Sequence, residues 1–84
     1  MSEQIARTEK QLGAVLRRTR KQAGLTQAEL GERISLRQAT ISKLEGGAPA
    51  TQLRTAMAAL SALGLELVIK PRDGTPRDQI EDIF

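Results

Sequence analysis

One short stretch of this chain carries polar residues at a spacing suited to chemistry. Arg37, Gln38, Ala39, Ser42 and Lys43 interleave with Ile41 and Leu44. In a helix the two apolar residues point one way and the polar set is left on the outer face. These residue types suit contact with the edges of bases. Gln38 can donate to and accept from an adenine in one bidentate contact, Ala39 is small enough to touch a thymine methyl, and Ser42 can bond several bases. Arg37 and Lys43 can read guanine or hold phosphate. Upstream, Thr26 and Gln27 sit where exposed first-turn amides of a helix would grip an anion. Arg17, Arg18, Arg20 and Lys21 add attraction for phosphate that carries no sequence information. Taken singly, each of these is ordinary solvated surface. It is their joint placement that favours an interface.

The elements that must position them follow from local signals. Thr8 with Gln11 fits a capping box, Leu12, Val15, Leu16, Thr19 and Ala23 share a helical face, and Gly24 suits the residue after a helix end, so a first helix is expected from Glu9 to Ala23. Thr26 and Glu29 form a second capping box with Leu25 placed as a hydrophobic staple, starting a short helix that ends near Arg33. Ser35 and Leu36 interrupt, and Gln38 to Glu45 reads as another short helix closed by Gly46-Gly47. Ala48-Pro49-Ala50 breaks the chain, and Thr51 can cap a fourth helix carrying Leu53, Met57, Leu60 and Leu63. Two short helices around a tight turn, flanked by longer ones, make a helix-turn-helix arrangement. In that geometry the start of the second short helix enters a major groove.

Composition narrows the alternatives. The chain has 84 residues, no Cys, no His and one aromatic residue, Phe84. A core this small rarely supplies more than about 3–5 kcal/mol. Disulfides and a His/Cys zinc site are impossible, which leaves a second copy of the chain as the natural staple. Without His or Cys, and without a Gly-rich phosphate loop, an enzyme is not expected; no cofactor or metal is implied. No run approaches the ~20 apolar residues of a membrane span. No secretory signal is visible, so a cytoplasmic location is expected. Residues 1–45 hold nine Lys/Arg against five Asp/Glu, whereas residues 46–84 hold four against five. A basic head of this kind suits a polyanion.

After Gly64 the periodicity changes. Leu65, Leu67 and Ile69 alternate with Glu66, Val68 and Lys70 as far as Pro71, which reads as a strand. A lone strand has unpaired backbone groups on both edges, and the same strand from a second copy would satisfy one of them across a two-fold axis. The competing reading has this segment extend the fourth helix or lie extended against the core; Gly64 and the β-branched Val68-Ile69 pair argue against the helical version. The organisation expected is an N-terminal arm (1–8), a helix-turn-helix domain (9–64), a dimerisation strand (65–71) and a tail (72–84). In the tail Ile80, Ile83 and Phe84 sit among acids. They suit either a docking peptide that orders on binding or a short helix folded back on the domain.

The segments TQAEL and QATISKLEGG make residues 12–64 resemble the Cro/repressor-type (XRE) helix-turn-helix family. The fold implied is mainly α, a four- to five-helix domain with one C-terminal strand pairing across a homodimer. Three positions depart from the family pattern: Gly31 stands where Ala is frequent and should loosen its helix, Ser35 replaces the turn Gly, and Arg37 replaces a capping Ser. With the LELVIK segment directly after the domain, the chain is similar to HipB-type antitoxins. That resemblance implies a transcriptional repressor of its own operon, bound to palindromic double-stranded operator DNA and to a HipA-like kinase toxin, in the bacterial cytoplasm at the nucleoid. It implies base reading by Arg37, Gln38, Ala39 and Ser42, an intersubunit sheet over Leu65–Pro71, and entry of the tail into the toxin or its use as a proteolysis handle. A free-standing phage-type or metabolic repressor without a toxin is the alternative.

Overall fold

The computed structural model describes residues 3–72, which contain four helices: α1 (Glu9–Gln22), α2 (Gln27–Arg33), α3 (Gln38–Glu45) and α4 (Leu53–Ala62). All four end in the same way. The amide two residues beyond the cap bonds the carbonyl five residues back: Leu25 to Arg20 (3.1 Å), Leu36 to Gly31 (2.8 Å), Ala48 to Lys43 (3.1 Å) and Leu65 to Leu60 (2.8 Å). This is the Schellman arrangement, and it requires a left-handed residue just before the bonding amide. Gly24, Gly47 and Gly64 fill that position with φ of 75°, 79° and 72°. Ser35 fills the fourth at φ 58°, so the α2–α3 turn keeps its geometry with a side chain where glycine is the usual choice.

Helix starts are less uniform. Thr26 and Glu29 form the expected reciprocal box, with Glu29 N–H donating to Thr26 Oγ1 (3.1 Å) and Thr26 N–H to Glu29 Oε1 (2.9 Å). Hydrogen bonding from Thr26 to its charged form, together with nearby Arg33, holds the Glu29 carboxyl below its ordinary range. At α1 Thr8 accepts from Gln11 N–H as expected, but Gln11 Oε1 accepts from Arg7 N–H, one residue before the anticipated donor. The expected cap of the last helix is corrected. Gln52 is the N-cap of α4, with no side-chain bond, and Thr51 Oγ1 instead donates to Ala48 O (2.8 Å). Thr51 therefore closes the turn that Pro49 initiates.

Leu16, Leu44, Ala56, Ala59 and Leu60 form the core cluster, with Leu12, Ile34, Leu63 and Leu65 packed against it. Leu30 and Ile41 are also buried. The small residues set how close the helices come. A Cβ at Gly13 would lie 2.5 Å from Glu45 O and 2.7 Å from Leu44 O, so the end of α3 rests directly on the α1 backbone. Gly31 allows a second close approach: a Cβ there would lie 2.5 Å from Leu36 O. Its missing side chain admits the folded-back turn.

The chain beyond α4 also differs from expectation. Among the described residues there is no strand, and residues 65–72 lie outside any helix or strand. Gly64 ends α4, so the segment is not its continuation. A strand needs a neighbour to take its amides and carbonyls, and the described part of a single chain offers none. Leu65 packs on the core, while Leu67, Val68 and Ile69 are exposed at 52%, 62% and 84%.

Candidate nucleic-acid interface

The outer face of α3 is assembled by what its inner face buries. Ile41, Leu44 and Glu45 turn into the protein, and the 3.6-residue period leaves Gln38, Ala39, Ser42 and Lys43 exposed, with Arg37 exposed at the N-cap. Arg37 makes no side-chain cap bond, because a donor-only guanidinium cannot accept from the first amides of α3. All five expected base-reading residues therefore share one solvent-facing surface.

The expected phosphate set divides. Arg17, Arg18 and Lys21 are exposed and, with Lys10, Ala14, Glu45 and Gly46, line an open hollow of about 460 Å³ beside the end of α3. Arg18 also donates to Gln4 Oε1. Thr26 is exposed, although its hydroxyl is committed to the α2 cap, and Gln27 is half-buried at the start of α2. Arg20 is the exception. It is nearly buried, and all three of its nitrogens are used inside the protein: Nε to Glu45 Oε2 (2.6 Å), Nη2 to Glu45 Oε1 (3.1 Å) and Nη1 to Leu25 O (2.7 Å). Burial and pairing with Glu45 turn this guanidinium into the protein and away from an external phosphate. The signal was present in the sequence, because Leu12, Leu16 and Arg20 form one i, i+4 row, and a row that begins apolar turns inward.

Glu45 is the residue that sequence reasoning passed over. Besides gripping Arg20 in a two-point fork, its Oε1 accepts from Gln27 Nε2 (3.2 Å). One buried carboxylate thus joins α1, the start of α2 and the last turn of α3. Such bidentate pairs fix orientation as well as contributing energy. The result is a rigid angle between α2 and α3, with an exposed reading face on one and an exposed N-terminus on the other. That bond uses one of the two Nε2 hydrogens of Gln27 and leaves the other unused by it.

Two other expected sets can be placed. Of Leu65 to Lys70, Leu65 packs on the core and the rest are exposed; Leu53 (71%) and Met57 (42%) on α4 are exposed as well. Ile80, Ile83 and Phe84 lie outside the described residues. Among the described residues no His/Cys/Asp/Glu group is placed to hold a metal, and no helix is long and apolar enough to cross a membrane.

Comparison with known proteins agrees with this geometry. A family model described as a helix-turn-helix domain matches residues 11–68. Among solved structures, a HipB variant in complex with an O2 20mer is 37% identical, with a TM-score of 0.76, covering 83% of this chain and 97% of that one. HipB in a HipA-HipB-O2-O3 complex is 33% identical at a TM-score of 0.76, covering 82% and 97%. HipB in an O1-O2 complex is 33% identical at a TM-score of 0.77, covering 82% and 100%. A comparison with curated protein sequences gave no match. The chain belongs to the XRE-type helix-turn-helix family of DNA-binding domains, and within it resembles HipB antitoxins in both sequence and fold.

Proposed function

We propose that the protein is a sequence-specific transcriptional repressor that binds a palindromic operator as a homodimer and serves as the antitoxin of a HipA-like kinase toxin. The observation that carries this reading is the α3 face: Arg37, Gln38, Ala39, Ser42 and Lys43 all exposed on a helix whose other side is locked into the core by Ile41, Leu44 and Glu45. Gln38, Ala39 and Ser42 read base edges, while Arg37 and Lys43 contact guanine or phosphate. Gln27 and the first amides of α2 hold a backbone phosphate, and Arg17, Arg18 and Lys21 supply long-range attraction.

Dimerisation supplies what the single chain lacks. Leu67, Val68 and Ile69, exposed beyond α4, pair with the same segment of a second copy. The support is the cost of leaving exposed apolar side chains in water, together with the similar HipB structures in O1-O2 and HipA-HipB-O2-O3 complexes. Repression is steric, by occupancy of the promoter. The toxin binds the flank of the dimer and the Ile80, Ile83 and Phe84 segment. The protein acts as a regulator, not a catalyst, in the bacterial cytoplasm at the nucleoid.

The test is fluorescence anisotropy of labelled duplexes across a salt series, paired with affinity capture of a kinase. Site-selective binding whose affinity falls steeply with salt is expected. Binding that ignores both sequence and salt would reduce the chain to a protein-interaction module. A stable complex with DNA but with no kinase would favour a free-standing repressor.

A further inference from the structure

The hollow beside α1 has a composition that points to a particular occupant. Lys10, Arg17, Arg18 and Lys21 stand around it, while Ala14 and Gly46 form a floor with little side chain. The aliphatic stems of the four cations add apolar wall below their charged ends. The carboxylate at its margin, Glu45, is already neutralised by Arg20, so it does not offset the surrounding positive charge. No ion pair is seen for Lys10, Arg17, Arg18 or Lys21 among the described residues. A ligand suited to this hollow brings several anionic groups together with apolar ones.

The chain contains such a segment. Residues 73–84 carry Asp73, Asp78, Glu81 and Asp82 against one cation, Arg77, with Ile80, Ile83 and Phe84 interspersed. We propose that this acidic, apolar tail docks into the α1 hollow of its own chain, its carboxylates on Lys10, Arg17, Arg18 and Lys21 and its apolar side chains over Ala14. Twelve residues beyond Arg72 span up to about 40 Å when extended, more than the protein's two shorter dimensions of 29 and 17 Å and close to its longest, 43 Å. Tethering also gives the tail an effective concentration of about millimolar, so weak surface pairs are enough to hold it.

Docking has a regulatory consequence, which rests on the DNA-binding reading above. The tail masks cations that attract phosphate, and a partner that captures Ile80, Ile83 and Phe84 withdraws it. Partner binding and operator binding are then positively coupled, each relieving a competition faced by the other.

The experiment compares the isotope-labelled full chain with a variant carrying D73N, D78N, E81Q and D82N, at low and high salt. The expected result is that backbone amide signals of Ala14, Arg17, Arg18 and Lys21 move between the two proteins at low salt. High salt should move the native protein's signals toward those of the variant. Unchanged α1 signals, or changes confined to α4 and residues 65–72, overturn the docking. A second readout is affinity for a DNA duplex, expected to rise about 3- to 10-fold in the variant as weak pairs are lost. A control variant carrying E32Q, at an exposed position outside both the tail and residues 65–71, should gain much less per charge removed. Equal gains per charge overturn the masking effect. If neither protein binds DNA, the fault lies in the DNA reading, and the α1 signals still decide the docking.

Discussion

Replacing Glu45 with Ala tests the frame that holds the α3 reading face. The side chain is 3% exposed and its partner Arg20 8% exposed. The substitution deletes both points of the fork and the acceptor of Gln27 Nε2, leaving Arg20 with only Leu25 O for its nitrogens. Gln27 is half-buried and can turn to water, so its loss is modest. Arg20 cannot do so without leaving the interior. Removing one partner of a buried pair costs about 3–5 kcal/mol, because the other charge stays uncompensated. A core of this size contributes about the same amount. Glu45→Ala should therefore abolish the cooperative urea transition followed by helical circular dichroism, or reduce it to a remnant. The companion variant separates pairing from packing. Replacing Arg20 with Met and Glu45 with Leu together removes both charges while keeping volume, and should restore most of the stability, since apolar replacements of buried pairs are often neutral or better. A loss below about 1 kcal/mol for Glu45→Ala, or a double variant as damaged as the single one, would refute the argument.

Four further outcomes follow from the same geometry. Gly13→Ala should destabilise by about 1–2 kcal/mol, because the new methyl meets the carbonyls of Leu44 and Glu45 and the gain in helix propensity offsets only part of the clash; a rise in denaturation midpoint would contradict this. Ser35→Gly should stabilise by about 0.5–1 kcal/mol by relieving the left-handed residue at φ 58°, again read from the urea midpoint. Gln38→Ala should lower discrimination at one base position by about 1–3 kcal/mol while leaving non-specific affinity unchanged, as measured with single-base operator variants. The Glu29 carboxyl sits below its ordinary range because Thr26 bonds its charged form, so its stabilising contribution is present above the unfolded value of about 4.3 and disappears as pH falls through the lower folded value. The stability gap between the native protein and Glu29→Gln should accordingly close on the acid side; a gap independent of pH would count against the capping bond.

Much of the fold is legible because the punctuation is local. Thr26 with Glu29, Gly24, and Gly46-Gly47 each satisfy orphan backbone groups within a few residues, so α2 and α3 begin and end where the sequence places them. The outward face of α3 is equally readable, since burial of Ile41 and Leu44 leaves only one orientation for Gln38 and Ser42. What local reasoning misses depends on distant partners. Arg20 reads as surface until Glu45, twenty-five residues away, supplies its counter-charge. Gly31 reads as a flaw in α2 until the turn is seen to fold its Leu36 carbonyl against it. Thr51 resembles a helix cap but bonds backward to Ala48, because Pro49 has already made a turn there. The segment from Leu65 to Lys70 has the alternation of a strand, yet strand pairing is a property of two edges, and the described chain holds one.

The most direct test of the central claim is to sequence the DNA that the native protein selects from a random pool. A recognition face on α3, carried by a two-fold dimer, predicts an enriched inverted repeat. Its half-sites should be centred about 34–36 Å apart or a multiple of that, and Gln38→Ala should shift the preference at one position in each half. A pool that returns no enriched sequence, or one enriched for a single unrepeated motif, would contradict it.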